Sequence, residues 1–373
     1  MENLLPWFAL KSVPGIGNLI FKRLTDRFVS PEQVFNASQK ELLEVQGISQ
    51  RLAAAIKNAQ NSADQDRAEI ALAARKGYRI VTLSDPEYPP LLLQITDPPP
   101  FLYVYGDLSH SARSIAVVGT RNATRYGISA AIEICQELAA LDITVVSGMA
   151  RGIDTAAHDG ALMGRGKTIA VLGSGLERVY PLENMKLFHK IAQNGAVISE
   201  FHLTAGPAPH HFPIRNRIIS GISLGTVVVE ASGKSGALIT ADFALEQGRE
   251  VFAVPGSIRS FKSIGPHKLI RQGAKLVANA QDITEELPQA VKGHIARKSL
   301  RQDDILTGLP ALSSDEALVF GSLGPYPVHI DDLVRKISME PGKLSSILMQ
   351  LELKGIVQQS PGKLFSIEMD NIF

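Results

Sequence analysis

Between Ser114 and Val277 the chain repeats one pattern: a short β-branched run, a turn rich in Gly and Ser, then a stretch with helical spacing. The runs are Ser114 to Val118, Ile143 to Val146, Thr168 to Leu172, Ala196 to Ile198, Thr226 to Val229, Glu250 to Val254 and Lys275 to Val277. Strands that alternate with helices are joined by crossovers, so the pattern predicts an α/β fold with a doubly wound, mostly parallel sheet. Within it, Tyr126 to Leu141 puts Ile128, Ile132, Cys135 and Leu138 on one helical face, which reads Cys135 as a core thiol and not a nucleophile.

The full length of 373 residues exceeds one such sheet and leaves room for two or three domains. Residues 1–82 show helical spacing around two related turns, Val13-Pro14-Gly15-Ile16-Gly17 and Val45-Gln46-Gly47-Ile48-Ser49, expected to be a helix-hairpin-helix pair. Such turns either hold a phosphate at the next helix's N-terminus or serve only as packing units, and both readings stay open. Asp85 to Gly106 is rich in Pro, which cannot donate to a ladder, and reads as a domain junction opening a core of residues 83–285. Residues 286–310 lose periodicity and read as a linker. Residues 311–373 offer three helical stretches, a strand, a Pro361-Gly362 turn and a second strand, the outline of a winged helix. Its third helix has only Lys343 and Lys354 to offer a duplex, so a protein contact or a structural role fits it equally.

With 45% hydrophobic and 20% charged residues the chain is ordinary globular material, not a disordered one. A lone cysteine, an N-terminus without a signal pattern and no apolar run near 20 residues lead to an expectation of reducing cytoplasm and no membrane span. The net charge of +1 hides an uneven distribution: Phe201 to Val229 holds Arg215, Arg217 and three histidines without a carboxylate, and Arg259 to Lys275 is basic and acid-free.

In an open parallel sheet, ligands sit beyond the carboxyl ends of the strands. The turns there are Gly119-Thr120-Arg121, Ser147-Gly148 running to Arg151, Gly173-Ser174-Gly175, Ser232-Gly233-Lys234-Ser235 and Pro255-Gly256-Ser257. Glycine admits close backbone approach, hydroxyls donate, and the following helix N-termini are electropositive, so each turn is a candidate anion seat. Known nucleotide fingerprints fail: Gly173-Ser174-Gly175 is followed by Arg178 where a third glycine belongs, and Gly233-Lys234-Ser235 lacks the preceding loop of a P-loop. No residue set has metal-ligand spacing; His210-His211 are adjacent, and Asp154, His158 and Asp159 read as helix decoration. Repeated seats without a general base suit a polyanion lying along the strand edge. Phe201, His202, His210, His211 and Phe212 are candidates either to stack on its bases or to pack in the core.

The stretches Ser114-Ile-Ala-Val-Val-Gly-Thr-Arg121, Val146-Ser-Gly-Met-Ala-Arg-Gly-Ile-Asp-Thr-Ala-Ala-His158, Phe212-Pro-Ile-Arg-Asn-Arg217 and Lys234-Ser-Gly-Ala-Leu-Ile-Thr-Ala241 closely resemble the DNA-processing protein A (DprA/Smf) family of bacteria. The match spans about Asp85 to Asp282, and both flanking domains agree in type and order. The resemblance implies an extended Rossmann-like core between a sterile-alpha-motif-like helix-hairpin-helix domain and a winged helix. It implies a homodimer that binds and protects single-stranded DNA and loads the recombinase RecA onto it in natural transformation, with no catalysis and no cofactor. It places DNA contacts at Arg121 and Lys234, with Ser147, Gly148, Arg215 and Arg217 as neighbours; Gly119, Thr120, Arg151, Ser232, Gly233 and Ser235 complete the candidate set from the turns. Gly265-Pro266-His267 departs from the family's usual Gly-Thr-Asn or Gly-Ser-Asn. Two other readings remain: a Rossmann-like nucleotide phosphoribohydrolase, whose Pro-Gly-Gly-x-Gly-Thr turn is here Ala231-Ser232-Gly233-Lys234-Ser235-Gly236, and a protein-interaction scaffold.

Overall fold

The structure is a computed structural model that describes residues 2–59, 63–288, 313–323, 328–337, 339–360 and 362–367. Two compact units result, Met1–Ala296 and Arg297–Phe373. The expected linker lies almost entirely outside the described residues, as does Pro361 of the expected turn.

The first unit opens with six helices, α1 (Leu5–Ser12), α2 (Asn18–Phe28), α3 (Pro31–Asn36), α4 (Gln39–Leu43), α5 (Gln50–Asn58) and α6 (Ala63–Arg75). Gly15 and Gly47 adopt φ of +98° and +96°, the left-handed conformation that a tight hairpin demands and glycine reaches without cost. Ser30, Ser38 and Ser49 each accept a backbone N–H at the start of α3, α4 and α5, which sets where these short helices begin.

There follow β1 (Arg79–Thr82), β2 (Phe101–Gly106), β3 (Ser114–Val118), α7 (Arg125–Ala140), β4 (Thr144–Ser147), α8 (Ile153–Met163), β5 (Thr168–Val171), α9 (Met185–Asn194) and β6 (Gly195–Ser199). The second half runs α10 (His211–Ile222), β7 (Gly225–Val228), α11 (Gly236–Glu246), β8 (Glu250–Ala253), α12 (Ile264–Arg271), β9 (Lys275–Leu276) and α13 (Ala280–Thr284). The sheet order is β1-β2-β6-β5-β4-β3-β7-β8-β9. All neighbours from β6 to β9 pair in parallel, while β2 joins β6, and β1 joins β2, antiparallel. All seven expected strands are present, in a doubly wound, mostly parallel sheet.

β1 and β2 correct the reading of the proline-rich stretch as a junction alone. β1 also falls before residue 83, on the far side of the expected start of the core. The prolines end just before Phe101, and the run Phe101-Leu102-Tyr103-Val104 is buried on both faces, as a strand inside the sheet must be. Phe8 of α1 stacks on Phe101 at 4.4 Å, tying the helical segment to this strand. One face of the sheet packs Ile115, Val117 and Val145 on Ile134, Cys135 and Leu138 of α7; the other packs Ala116, Val118 and Val146 on Ile218 and Ile219 of α10 and Ala241 of α11. Cys135 is fully buried and burial pushes its thiol far above its usual range, as expected of a core thiol.

The second unit contains α14 (Ser314–Phe320), β10 (Val328–His329), α15 (Ile330–Ile337), α16 (Pro341–Leu353), β11 (Val357–Ser360) and β12 (Leu364–Ile367). Its sheet order is β10-β12-β11, and Leu333, Leu344, Leu348, Leu351 and Phe365 share a core. This is the winged helix expected, with β10 as an added edge strand. Both lysines of its third helix and the following turn are occupied: Lys343 pairs with Asp315 at 2.6 Å and Lys354 with Glu316 at 2.7 Å.

Candidate nucleic-acid interface

The strand order reverses beside β3: β4, β5 and β6 lie to one side, and β7, β8 and β9 to the other. Two crossovers leaving such a point in opposite directions open a crevice at the carboxyl ends. A cleft of about 360 Å³ lies there, lined by Thr120, Arg121, Phe212, Arg215, Ser232 and Ser235 among others. A second of about 250 Å³ adjoins it over β4 and β5, where Gly148, Arg151, Gly173 and Tyr180 meet the same Arg121, Phe212 and Arg215.

Three side chains form the shared wall. Phe212 enters from the first turn of α10, and the exposed guanidinium of Arg121 lies over its ring at 4.9 Å from the centroid. Arg215, one turn further on, is buried, sits 5.9 Å from the same ring, and donates from Nη1 to the carbonyl of Gly148 at 2.6 Å and to that of Val171. Desolvation lowers its pKa to about 10, an effect that buried Asp154 partly offsets. Asp154 itself is raised by burial, with Arg215 opposing the shift, and accepts the Ala150 N–H at 3.3 Å. The buried arginine thus braces the ends of two strands and leaves Arg121 as the solvent-facing cation of the pair.

The remaining candidates divide sharply. Gly119 cannot carry a side chain because a Cβ would overlap Ile153, and Thr120 is held by its backbone N–H to Glu230 O at 2.7 Å. Glu230 also accepts from the N–H and hydroxyl of Thr124 at 2.9 and 2.6 Å, which fixes the start of α7 behind the turn. Ser235 caps α11 through a 3.3 Å bond from Ala237 N–H, while Gly233 and Lys234 project into solvent. Lys234 makes no ion pair among the described residues. Arg151 is exposed but forms a two-bond pair with Glu183 at 2.5 and 2.6 Å.

Two candidates are corrected. Ser147 is fully buried and its hydroxyl donates to Val117 O at 2.7 Å, so it braces β4 against β3. Arg217 points away from the crevice and is 6% exposed; Glu200 holds it at 2.5 Å and Asp97 at 3.3 Å. Among the stacking candidates only Phe212 faces the crevice. Phe201 stacks on His211 at 4.1 Å, His210 packs edge-on against His211, and His202 pairs with Glu69. Tyr180, half exposed and 6.0 Å from Phe212, is a further aromatic of the crevice, marked in the sequence only by its place soon after the Gly-Ser-Gly turn. In the departure at Gly265-Pro266-His267, the Gly265 N–H reaches Ala231 O at 2.8 Å, Pro266 sits in the first turn of α12, and His267 Nε2 lies 3.1 Å from Gly256 O.

These features define a doubly wound α/β protein with an arginine-and-aromatic crevice at its switch point, carrying helical hairpins before the sheet and a winged helix after it. The family model described as DNA recombination-mediator protein A matches residues 79–288, the DprA winged helix domain matches residues 307–363, and a SAM-like helix-hairpin-helix tandem matches residues 9–59. The chain belongs to the DNA recombination-mediator protein A (DprA/Smf) family. It is 34% identical to protein Smf of a Synechocystis species over 95% of this chain and 96% of that one. Among solved structures it is similar to DNA processing protein A of Streptococcus pneumoniae, with a TM-score of 0.67, 36% identity and coverage of 75% of this chain and 96% of that one. It is also similar to the Helicobacter pylori protein, described for its single-stranded DNA binding mode, with a TM-score of 0.51, 30% identity and coverage of 58% and 97%.

Proposed function

We propose that the chain binds single-stranded DNA along the carboxyl edge of its sheet, protects it, and as a homodimer passes it to the recombinase RecA in natural transformation and recombination. The observation that carries the DNA reading is the Arg121–Phe212 wall shared by two adjoining clefts, one of which is also lined by Ser232 and Ser235 of the turn that carries exposed Lys234. An exposed guanidinium seats a phosphate while the aromatic face beside it takes a base, a pairing that suits an unpaired strand with splayed bases. The role in recombination rests on the family's description, and the similarity to a relative described by its single-strand binding supports the substrate. Binding rather than hydrolysis fits the crevice because its one buried carboxyl, Asp154, faces Arg215 and is bonded to Ala150 N–H. A fluorescence titration of the chain with a short unstructured oligonucleotide and with the same sequence as a duplex tests the reading. Tighter binding of the single strand is expected; equal affinities, or no binding, would overturn it.

A further inference from the structure

The turn that follows β8 is written as a repeat of three residues, Ser257-Ile258-Arg259 and Ser260-Phe261-Lys262, closing on Ser263 and Ile264. Its backbone winds with the same period: Ser260 N–H donates to Ser257 O at 2.9 Å and Ser263 N–H to Ser260 O at 3.1 Å. Residues three apart share a face at this winding, so each kind of side chain falls into its own row. The serines line a cavity with Thr124 and buried Glu230, whose carboxylate takes the N–H and hydroxyl of Thr124. Ile258, Phe261 and Ile264 make an apolar row, 90%, 65% and 50% exposed. Arg259 and Lys262 make a basic row, and neither forms an ion pair among the described residues. From Val251 to Gln281 the chain holds no carboxylate.

Both rows start at the turn that carries Lys234. Ala231 N–H donates to Lys262 O and Gly265 N–H to Ala231 O, each at 2.8 Å, and a Cβ on Gly233 would touch Ile264 at 3.8 Å. Since β8 lies beside β7 and β7 beside β3, this turn is the next step along the carboxyl edge after those of Arg121 and Lys234. The cation-and-ring pairing of Arg121 and Phe212 recurs here, with Lys262 Nζ 5.7 Å from the centroid of the exposed Phe261 ring. We propose that the single strand continues past Lys234 onto this turn, one base stacking on Phe261 while Arg259 and Lys262 hold the adjoining phosphates. The proposal rests on the reading of the crevice as a single-strand path. An apolar row alone would suit another protein surface; the unpaired cations beside it and its junction with the Lys234 turn select a polyanion, and an open ring face selects unpaired bases.

The test titrates the full chain and its variants with an end-labelled dT20 strand over a range of salt concentrations. Phe261→Ala and Phe261→Leu should each weaken binding about tenfold, within the worth of one stacked base, without changing the slope of log K against log salt. Phe261→Trp, which keeps a ring, should bind at least as tightly as the unaltered chain. Arg259→Gln and Lys262→Gln should each lower the slope by about 0.7. Full affinity in Phe261→Leu would reduce the row to an apolar contact and overturn the stacking. A change of oligomeric state in Phe261→Ala without DNA, with dT20 affinity intact, would give the row to a second copy of the chain and likewise overturn it. If Phe261→Ala binds dT20 as the unaltered chain does while Arg121→Ala binds it more weakly, this inference falls and the crevice reading stands. Failure of the unaltered chain to bind dT20 at all overturns both.

Discussion

Arg217 and Arg121 show why residue type alone does not locate a site. Each lies in or beside a basic, carboxylate-free context in the sequence, yet Glu200 and Asp97 come from outside the acid-free stretch of Arg217 to neutralise it, and Arg121 is left facing solvent over an aromatic ring. Arg217→Ala should therefore act on stability: breaking one partner out of a buried pair strands the carboxylates, at a cost of about 3 to 5 kcal/mol. Urea unfolding measures it; a variant as stable as the unaltered chain would contradict the placement. His158 supplies a second expectation. It is fully buried, burial depresses its pKa to about 3, and Nδ1 lies 2.7 Å from Thr168 Oγ1, whose proton goes to Val145 O. The unfolded imidazole takes a proton near pH 6.5 while the folded one does not, so the folded state loses stability as pH falls between those two values. At pH 5 the loss from this one group is about 2 kcal/mol, and His158→Gln should flatten the acid limb of a stability–pH curve by about that amount. An unchanged acid limb would refute it.

The elements were legible in the sequence where one period dominated. Seven parallel strands announced themselves as β-branched runs followed by glycine turns, and the third helix of the winged helix by its apolar spacing. β1 and β2 were not, because three prolines at Pro98-Pro99-Pro100 abut an aromatic-rich run that lacks alternation, and because antiparallel pairing at a sheet edge is a tertiary fact. Ser147 was misread for a related reason: a hydroxyl at a strand end looks available until the adjacent strand takes it. The importance of β2 can be tested at Gly106, where φ is +109° and a Cβ would overlap the carbonyls of Gly195 and Ala192. Gly106→Ala should cost about 3 kcal/mol, combining backbone strain with a clash against a neighbour that cannot yield. A melting temperature within a degree of the unaltered chain would show that this edge is looser than described.

At the scale of the molecule, the candidate site draws on β3, β4, β5, β7 and α10, separated by up to about a hundred residues, and only the rule for ligands at carboxyl ends made part of it readable beforehand. The sequence pointed to Arg121, Lys234 and Phe212; it could not show that Arg215 is a brace or that Tyr180 stands beside Phe212. Since the described basic groups near the third helix of the winged helix are paired within that unit, a chain ending at residue 288 should keep most of its single-strand affinity, losing no more than a few fold in the same titration. Loss of all binding by the folded truncated chain would move the main site to the second unit. The central claim, that one strand path crosses both Arg121 and Lys234, is tested most directly by titrating Arg121→Ala and Lys234→Ala with a single-stranded oligonucleotide across a range of salt concentrations. Each substitution should weaken binding and reduce the slope of log K against log salt by about 0.7, the signature of one phosphate contact removed. Unchanged affinity and slope in both folded variants would contradict the account.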